Sequence, residues 1–322
     1  MKPVTGRWKR TAVVLVAAGL AFGVAACGSS SDDDASTDTI VVTDSKGEQT
    51  ITKNPQRIVS MDNQWLDSLL ALDTKPVAYI DNLSVVAGSA PPWEEGKLDG
   101  IDKLNLGGDL VEKIGALEPD LILVPNFLID EPTYQKLEAL APTLTAITTS
   151  GVDPWDVRVE TLGTILGKED KADEVIAGVN AKLDGLAAKY PGLQGKTFVT
   201  AYLVGTNITV LADPNDGSAK IFAKLGMSIP QNLIDIAGPT GRPAISTERI
   251  GELNSDMLIA ASQSPNADQF KALPGYDSLR SVQKDAVYIA DLTTITALNQ
   301  PTVLALPYAL DKIEPTLANA AK

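Results

Sequence analysis

Histidine is missing from all 322 residues, and cysteine occurs once, at Cys27. Without histidine there can be no Ser-His-Asp nucleophile, no HExxH zinc site and no proximal histidine for haem. The side chain best suited to shuttling protons near neutral pH is absent as well. A hydrolase would have to work with carboxylates, Ser/Lys or Thr. One cysteine allows no disulfide within the chain, so apolar burial must hold the fold, and 44% hydrophobic residues suffice for that. Basic residues are also scarce, with 27 Lys and Arg against 41 Asp and Glu and a net charge of −14. This balance argues against nucleic acid as a partner, because phosphates demand stripes of lysine and arginine.

The N-terminus has the form of a secretory signal at residues 1–26. Lys2, Arg7, Lys9 and Arg10 precede an apolar run over residues 11–26, and Val24, Ala25 and Ala26 stand just before Cys27. The run is shorter than the ~20 residues needed to span hydrocarbon. A thiol directly after small residues resembles the bacterial lipobox, whose cysteine is acylated and becomes the new N-terminus. Palmitate or a similar chain on Cys27 would anchor an extracytoplasmic lipoprotein to the cell membrane without crossing it. Every charge on the leader is basic, so its removal makes the chain more acidic still.

Residues 27–39 (CGSSSDDDASTDT) are small, polar and acidic, and read as a flexible linker. Residues 40–52 read as an edge hairpin turning at Ser45, Lys46 and Gly47. From there short apolar runs alternate with helical spacing: strands over 57–61, 77–80, 120–124 and 144–147, helices over 65–72, 110–117 and 133–140. Residues 170–190 put Val175, Ile176, Val179, Leu183, Leu186 and Tyr190 on one face of a rod roughly 30 Å long. Strands then recur over 197–204, 208–211, 257–260 and 287–290, with helices over 218–225 and 301–317. The expectation is an α/β protein of two lobes, each with a mainly parallel sheet, joined by one long backbone helix. The N-terminal lobe takes residues 40–154, a helical connector 155–192, and the C-terminal lobe 193–322.

The halves share a signal. VEKIGALEPDLILV at residues 111–124 aligns without gaps to TERIGELNSDMLIA at 247–260. Glu112 and Glu248, Ile114 and Ile250, Gly115 and Gly251, Leu117 and Leu253, and Asp120 and Asp256 coincide. Each copy reads as a short helix, a tight turn and a buried strand, which favours two related lobes.

The lipobox, NPQRIVSM at 54–61, VEKIGALEPDLILV and GRPAISTERIGELNSDMLIA at 241–260 together resemble the substrate-binding lipoproteins of ABC importers for ferric siderophores and cobalamin. The resemblance runs from about residue 40 to the C-terminus. It implies a ligand cleft between two lobes, little movement on binding, and a partner permease with its ATPase. It also implies that one glutamate per lobe, Glu112 and Glu248, docks on permease arginines. Surface acids at helix starts are otherwise ordinary.

Ligands of parallel sheets gather beyond the carboxyl ends of the strands. That places Trp65, Tyr79, Trp93, Asn126, Phe127, Tyr202, Asn207, Arg242 and Thr294 as ligand-binding candidates, with Asp62, Asn63, Asp81, Asn82, Ser262, Gln263 and Thr293 nearby. Aromatics with a few polar groups suit a bulky amphipathic chelate. Trp65 and Tyr79 also have spacing compatible with core packing. Bare ferric ion is rejected, since the tyrosines are scattered and histidine is absent, so iron is expected only as a chelated ferric siderophore and no cofactor is expected. Past the leader the arginines are Arg57, Arg158, Arg242, Arg249 and Arg280, few for a strongly anionic triscatecholate, which favours a hydroxamate. Cobalamin and haem are the alternative ligands, and a monomer is expected. Among other classes, Ser281 to Lys284 match S-x-x-K but lack the partner motifs of penicillin-recognising enzymes. A membrane-anchored carboxylate-dependent hydrolase is the other alternative, with no spacing that singles out a pair. The expectation is a binding protein, not an enzyme.

Overall fold

Short runs buried on both faces make the central strands of the two larger sheets. The computed structural model describes residues 38–125, 129–148, 152–262 and 268–322, so the leader, Cys27, Asn126, Phe127 and Gln263 lie outside the described residues. The chain opens with an antiparallel hairpin, β1 (Thr39–Asp44) and β2 (Gly47–Thr52). Asp44 closes its turn by accepting from the Lys46 and Gly47 amides, and its other oxygen accepts from the Thr145 amide, which ties the hairpin to the first sheet.

That sheet contains β3 (Ile58–Ser60), β4 (Ala78–Tyr79), β5 (Asp102–Lys103), β6 (Leu121–Leu123) and β7 (Thr143–Leu144), in the order β5-β4-β3-β6-β7, all parallel. Continuously buried β3 and β6 need cover on both faces, which parallel sheets obtain from their crossover helices. The second sheet contains β8 (Phe198–Val204), β9 (Asn207–Val210), β10 (Ala244–Ser246), β11 (Met257–Ser262) and β12 (Val287–Ile289). Its order is β10-β9-β8-β11-β12, with β8, β11 and β12 parallel and β9 and β10 antiparallel.

The repeat is a structural repeat. The Asp120 carboxylate accepts from the Gln56 and Arg57 amides at 2.6 and 2.8 Å, at the foot of β3. The Asp256 carboxylate accepts from the Thr197 amide at 3.0 Å, at the foot of β8. In return the Asp120 amide donates to Arg57 O and the Asp256 amide to Thr197 O, both at 3.1 Å. Each aspartate thus latches the strand that its own strand pairs with. The first copy opens on an α-helix, Leu110–Ala116, and the second on a 3-10 helix, Thr247–Leu253.

The rod is the helix Glu169–Lys189, which spans ~32 Å at 1.5 Å per residue. Val179, Leu183 and Leu186 are buried along it, with Val175 and Ile176 half-buried against the core. At its start Lys168 donates to Leu72 O at 2.7 Å and to Thr74 Oγ1 at 2.8 Å. Toward its end Lys182 and Lys189 pair with Asp311 and Glu314 of the last helix, Ala305–Ala320. A further helix, Trp155–Leu166, packs beside the rod. Gly163 permits the approach, because a Cβ there would lie 2.6 Å from the Ala172 Cβ.

The last helix starts later than expected. Residues 301–317 were expected to be helical, and the helix is Ala305–Ala320, preceded by a separate and unexpected helix, Leu292–Asn299. Pro301 has no amide to donate, and Thr302 Oγ1 accepts from the Ala305 amide at 2.9 Å, starting a new helix.

Candidate ligand-binding site

Three strands of the two sheets end in an aspartate that starts a helix. Asp62 follows β3, and its carboxylate accepts from the Trp65 amide at 2.7 Å. Asp81 follows β4 and accepts from the Ser84 amide at 2.8 Å; Asp291 follows β12 and accepts from the Thr294 amide at 2.7 Å. These are side-chain N-caps, the favoured way to satisfy the free amides of a first helical turn. They set the helices Asn63–Ala71, Asn82–Ala87 and Leu292–Asn299 beyond the strands' carboxyl ends.

A cavity of about 230 Å³ opens among them. From the first half of the chain, Asp62, Asn63, Asp67, Asn82, Leu83, Val86 and Trp93 line it; from the second half, Thr296, Ala297, Gln300, Thr302 and Ala305 do. Among the described residues no lysine or arginine lines it. Val85 and Val86, 73% and 58% exposed, present apolar surface on the helix beside it.

Trp93 links the halves across the cavity. Pro91 and Pro92 stiffen its approach, its ring lies 5.2 Å from that of Tyr308, and its Nε1 donates to Asp67 Oδ2 at 3.0 Å. Thr302 donates to the same Asp67 oxygen. Glu94, beside Trp93, accepts from Asn63 Nδ2 at 3.0 Å, and Asn63 also donates to Asp81 at 2.9 Å. Asp67 and Glu94 are buried, and Asp67 Oδ1 and Glu94 Oε2 have no hydrogen-bond partner among the described residues. Burial raises the Asp67 carboxyl well above the usual range, only partly opposed by the bonds from Thr302 and Trp93. Burial, then the neighbouring charges of Asp67 and Asp81, raise Glu94 as well. Two carboxyls raised in this way favour keeping a proton on one of them.

Beneath the cavity Asp62 is neutralised by Arg158, whose Nη1 lies 3.0 Å from it, while Arg158 Nε donates to Asp153 at 2.9 Å. The guanidinium lies 4.5 Å from the centre of the Trp65 ring. Asp153 also accepts from the Ile147 and Thr148 amides at 3.0 and 2.8 Å.

Of the expected ligand residues, the cavity takes Trp93. Trp65 is fully buried, with its Nε1 donating to Val124 O at 3.3 Å, so it packs the floor and offers no surface to a ligand. Tyr79 packs with Leu66 and Leu70. Thr294 is fully buried in the first turn after Asp291. The helical pattern of Trp65 and the strand pattern of Tyr79 had signalled core packing; Thr294 carried no such signal. Tyr202 is half-buried and Asn207 exposed, and neither is among the residues lining the cavity. Arg242 is not among them either; it donates to Asp216 at 2.8 Å and to Ser218 Oγ at 3.3 Å. Asp67, Gln300 and Thr302 were not anticipated. Pro301, at the start of the expected last helix, was the available signal.

Glu112 and Glu248 are both exposed, each in the first turn of its repeat's helix. Among the described residues no group of three or more acids, cysteines or histidines could hold a metal ion, and no helix is long and apolar enough to cross a membrane.

Comparison with known proteins agrees with this geometry. The ferric enterobactin-binding periplasmic protein FepB of Escherichia coli is 29% identical over 266 residues, covering 77% of this chain and 82% of that protein. A periplasmic solute binding protein from Mycobacterium smegmatis superposes with a TM-score of 0.74 at 26% identity, over 88% of this chain and 99% of the other. The ferrichrome complex of PiaA from Streptococcus pneumoniae superposes with a TM-score of 0.73 at 23% identity, over 88% and 98%. The family profile described as periplasmic binding protein matches residues 58–293, most of the chain. With its paired sheets, spanning rod and cavity at the strand ends, the chain belongs to the periplasmic binding protein family.

Proposed function

We propose that the protein is an extracytoplasmic receptor lipoprotein of an ABC importer, which captures a ferric siderophore of hydroxamate type and delivers it to its permease. The observation that carries this reading is the cavity at the carboxyl ends of both sheets, walled by Trp93 and buried acids in a chain of the periplasmic binding protein family. The reading is of binding rather than catalysis. Trp93, Tyr202 and Arg242, with Asn126, Phe127 and Asn207, are the proposed ligand surface; Glu112 and Glu248 are the proposed permease contacts; acylated Cys27 is the proposed anchor.

FepB carries ferric enterobactin in its name, a triscatecholate of strong negative charge, and the PiaA structure contains ferrichrome, a trishydroxamate. The local chemistry favours the second kind. A triscatecholate would meet Asp67 with no lysine or arginine among the described lining residues, and Arg242 is already paired with Asp216. Desolvating like charges against each other disfavours that complex.

Tryptophan fluorescence titration tests the proposal. Ferrioxamine or ferrichrome is expected to quench at low micromolar concentration or below, while ferric enterobactin, cobalamin and haem leave the signal unchanged. Quenching by ferric enterobactin alone would overturn the hydroxamate assignment, and binding of cobalamin or haem alone would overturn the siderophore assignment.

A further inference from the structure

The cavity is smaller than the ~300–1,000 Å³ that encloses a whole small-molecule ligand, so at about 230 Å³ it suits one arm of a larger one. Its walls divide by chemistry. Leu83, Val86, Ala297 and Ala305 are apolar, whereas Asp67 sits fully buried with an unpartnered oxygen. Glu94, 2% exposed and not itself on the wall, stands against Asp67 with a second unpartnered oxygen. We propose that this cavity takes a primary ammonium on an alkyl arm of the ligand, with Asp67 as its counter-ion and Glu94 supporting it from behind.

Among the described residues the neighbouring acids have cations: Asp62 is paired with Arg158 and Asp81 with Lys103, while Lys97, whose charge reaches Asp67, is held on Trp93 O. Asp67, backed by Glu94, is therefore the acid left to meet an incoming cation. A bare metal ion would find two carboxyls where it needs more donors. An ammonium needs only acceptors for three N–H groups, and its methylene chain finds apolar walls. On arrival the ammonium takes the place of the proton kept on one of the two carboxyls, and that proton leaves to solvent. The inference rests on the siderophore reading only for the identity of the rest of the ligand.

The arm can be tested alone. Pentylammonium at millimolar concentration should raise the melting temperature of the wild-type protein at pH 7, and pentanol should not. Asp67→Asn should abolish the difference; its amide oxygen can still accept from Trp93 and Thr302 while its NH₂ faces Glu94, so folding is expected to survive. Glu94→Gln is the second variant and should weaken the preference. For the intact ligand, ferrioxamine B, which ends in a free amine, should bind about ten- to a hundredfold tighter than its N-acetyl derivative. Calorimetry in two buffers of different ionisation enthalpy should read release of about one proton for the amine form alone.

Equal effects of pentylammonium and pentanol, or a preference unchanged in Asp67→Asn, would overturn the proposal while leaving siderophore capture intact. Failure of every ferric chelate to bind, with pentylammonium still preferred, would overturn the siderophore reading and leave the ammonium site standing.

Discussion

Arg158 Nη1 donates to Asp62 Oδ2 at 3.0 Å, across 96 residues of sequence, with both side chains almost wholly out of water. The same guanidinium holds Asp153, so one cation fixes the end of β3, the chain beyond β7 and the start of the helix Trp155–Leu166. Arg158→Ala leaves two buried carboxylates without their cation. Urea unfolding should show stability falling by about 3–5 kcal/mol. A loss below ~1 kcal/mol would mean that water replaces the arginine without penalty.

The proton kept by Asp67 and Glu94 makes stability depend on pH. Both carboxyls are raised on folding, so the native state holds protons that the unfolded chain releases. Their contribution is fully present below the ordinary carboxylate range, ~4, and is lost as pH rises through neutrality. Glu94→Gln keeps a donor facing Asp67 and cannot ionise. Its melting temperature should exceed that of the wild type at pH 8 and match it near pH 4. Parallel curves for the two proteins across that range would refute the pairing.

Gly178 and Gly185 lie inside the rod with nothing within 4 Å of where a Cβ would stand. Alanine there should stabilise by about 0.5–1 kcal/mol per site, because less backbone freedom is lost on folding. Denaturant midpoints will show it. A drop in either variant would reveal that the helix needs its glycines.

Glu112→Lys combined with Glu248→Lys should leave siderophore binding unchanged, since both residues are exposed and away from the cavity lining. Uptake of iron by cells carrying the double variant should stop. Exposed ion pairs are individually worth little, so either single variant should retain part of the transport. Wild-type uptake in the double variant would remove both residues from the permease contact.

The architecture was legible because its signals are local. Continuous apolar triplets such as Leu121–Leu123 marked buried strands, and the one-sided pattern of Val179, Leu183 and Leu186 marked the rod. The internal repeat was legible too, though not its function: Asp120 and Asp256 matched as letters long before their shared latch could be known. The site was harder. Trp65 follows a strand, as a ligand residue should, yet its own helix turns it inward. Asp67 lies two positions on, in a stretch that reads as an ordinary amphipathic helix. What makes it special comes from Trp93 and from Thr302, 235 residues away in sequence. No window of neighbouring residues contains that information.

The two aspartate latches carry a consequence for the surface. Because both sheets use the same clasp, the helix that leads into each latch aspartate carries Glu112 or Glu248 at a matching offset from equivalent strands. Two exposed acids at one offset from two equivalent clasps are thus a feature the chain carries twice, once per sheet.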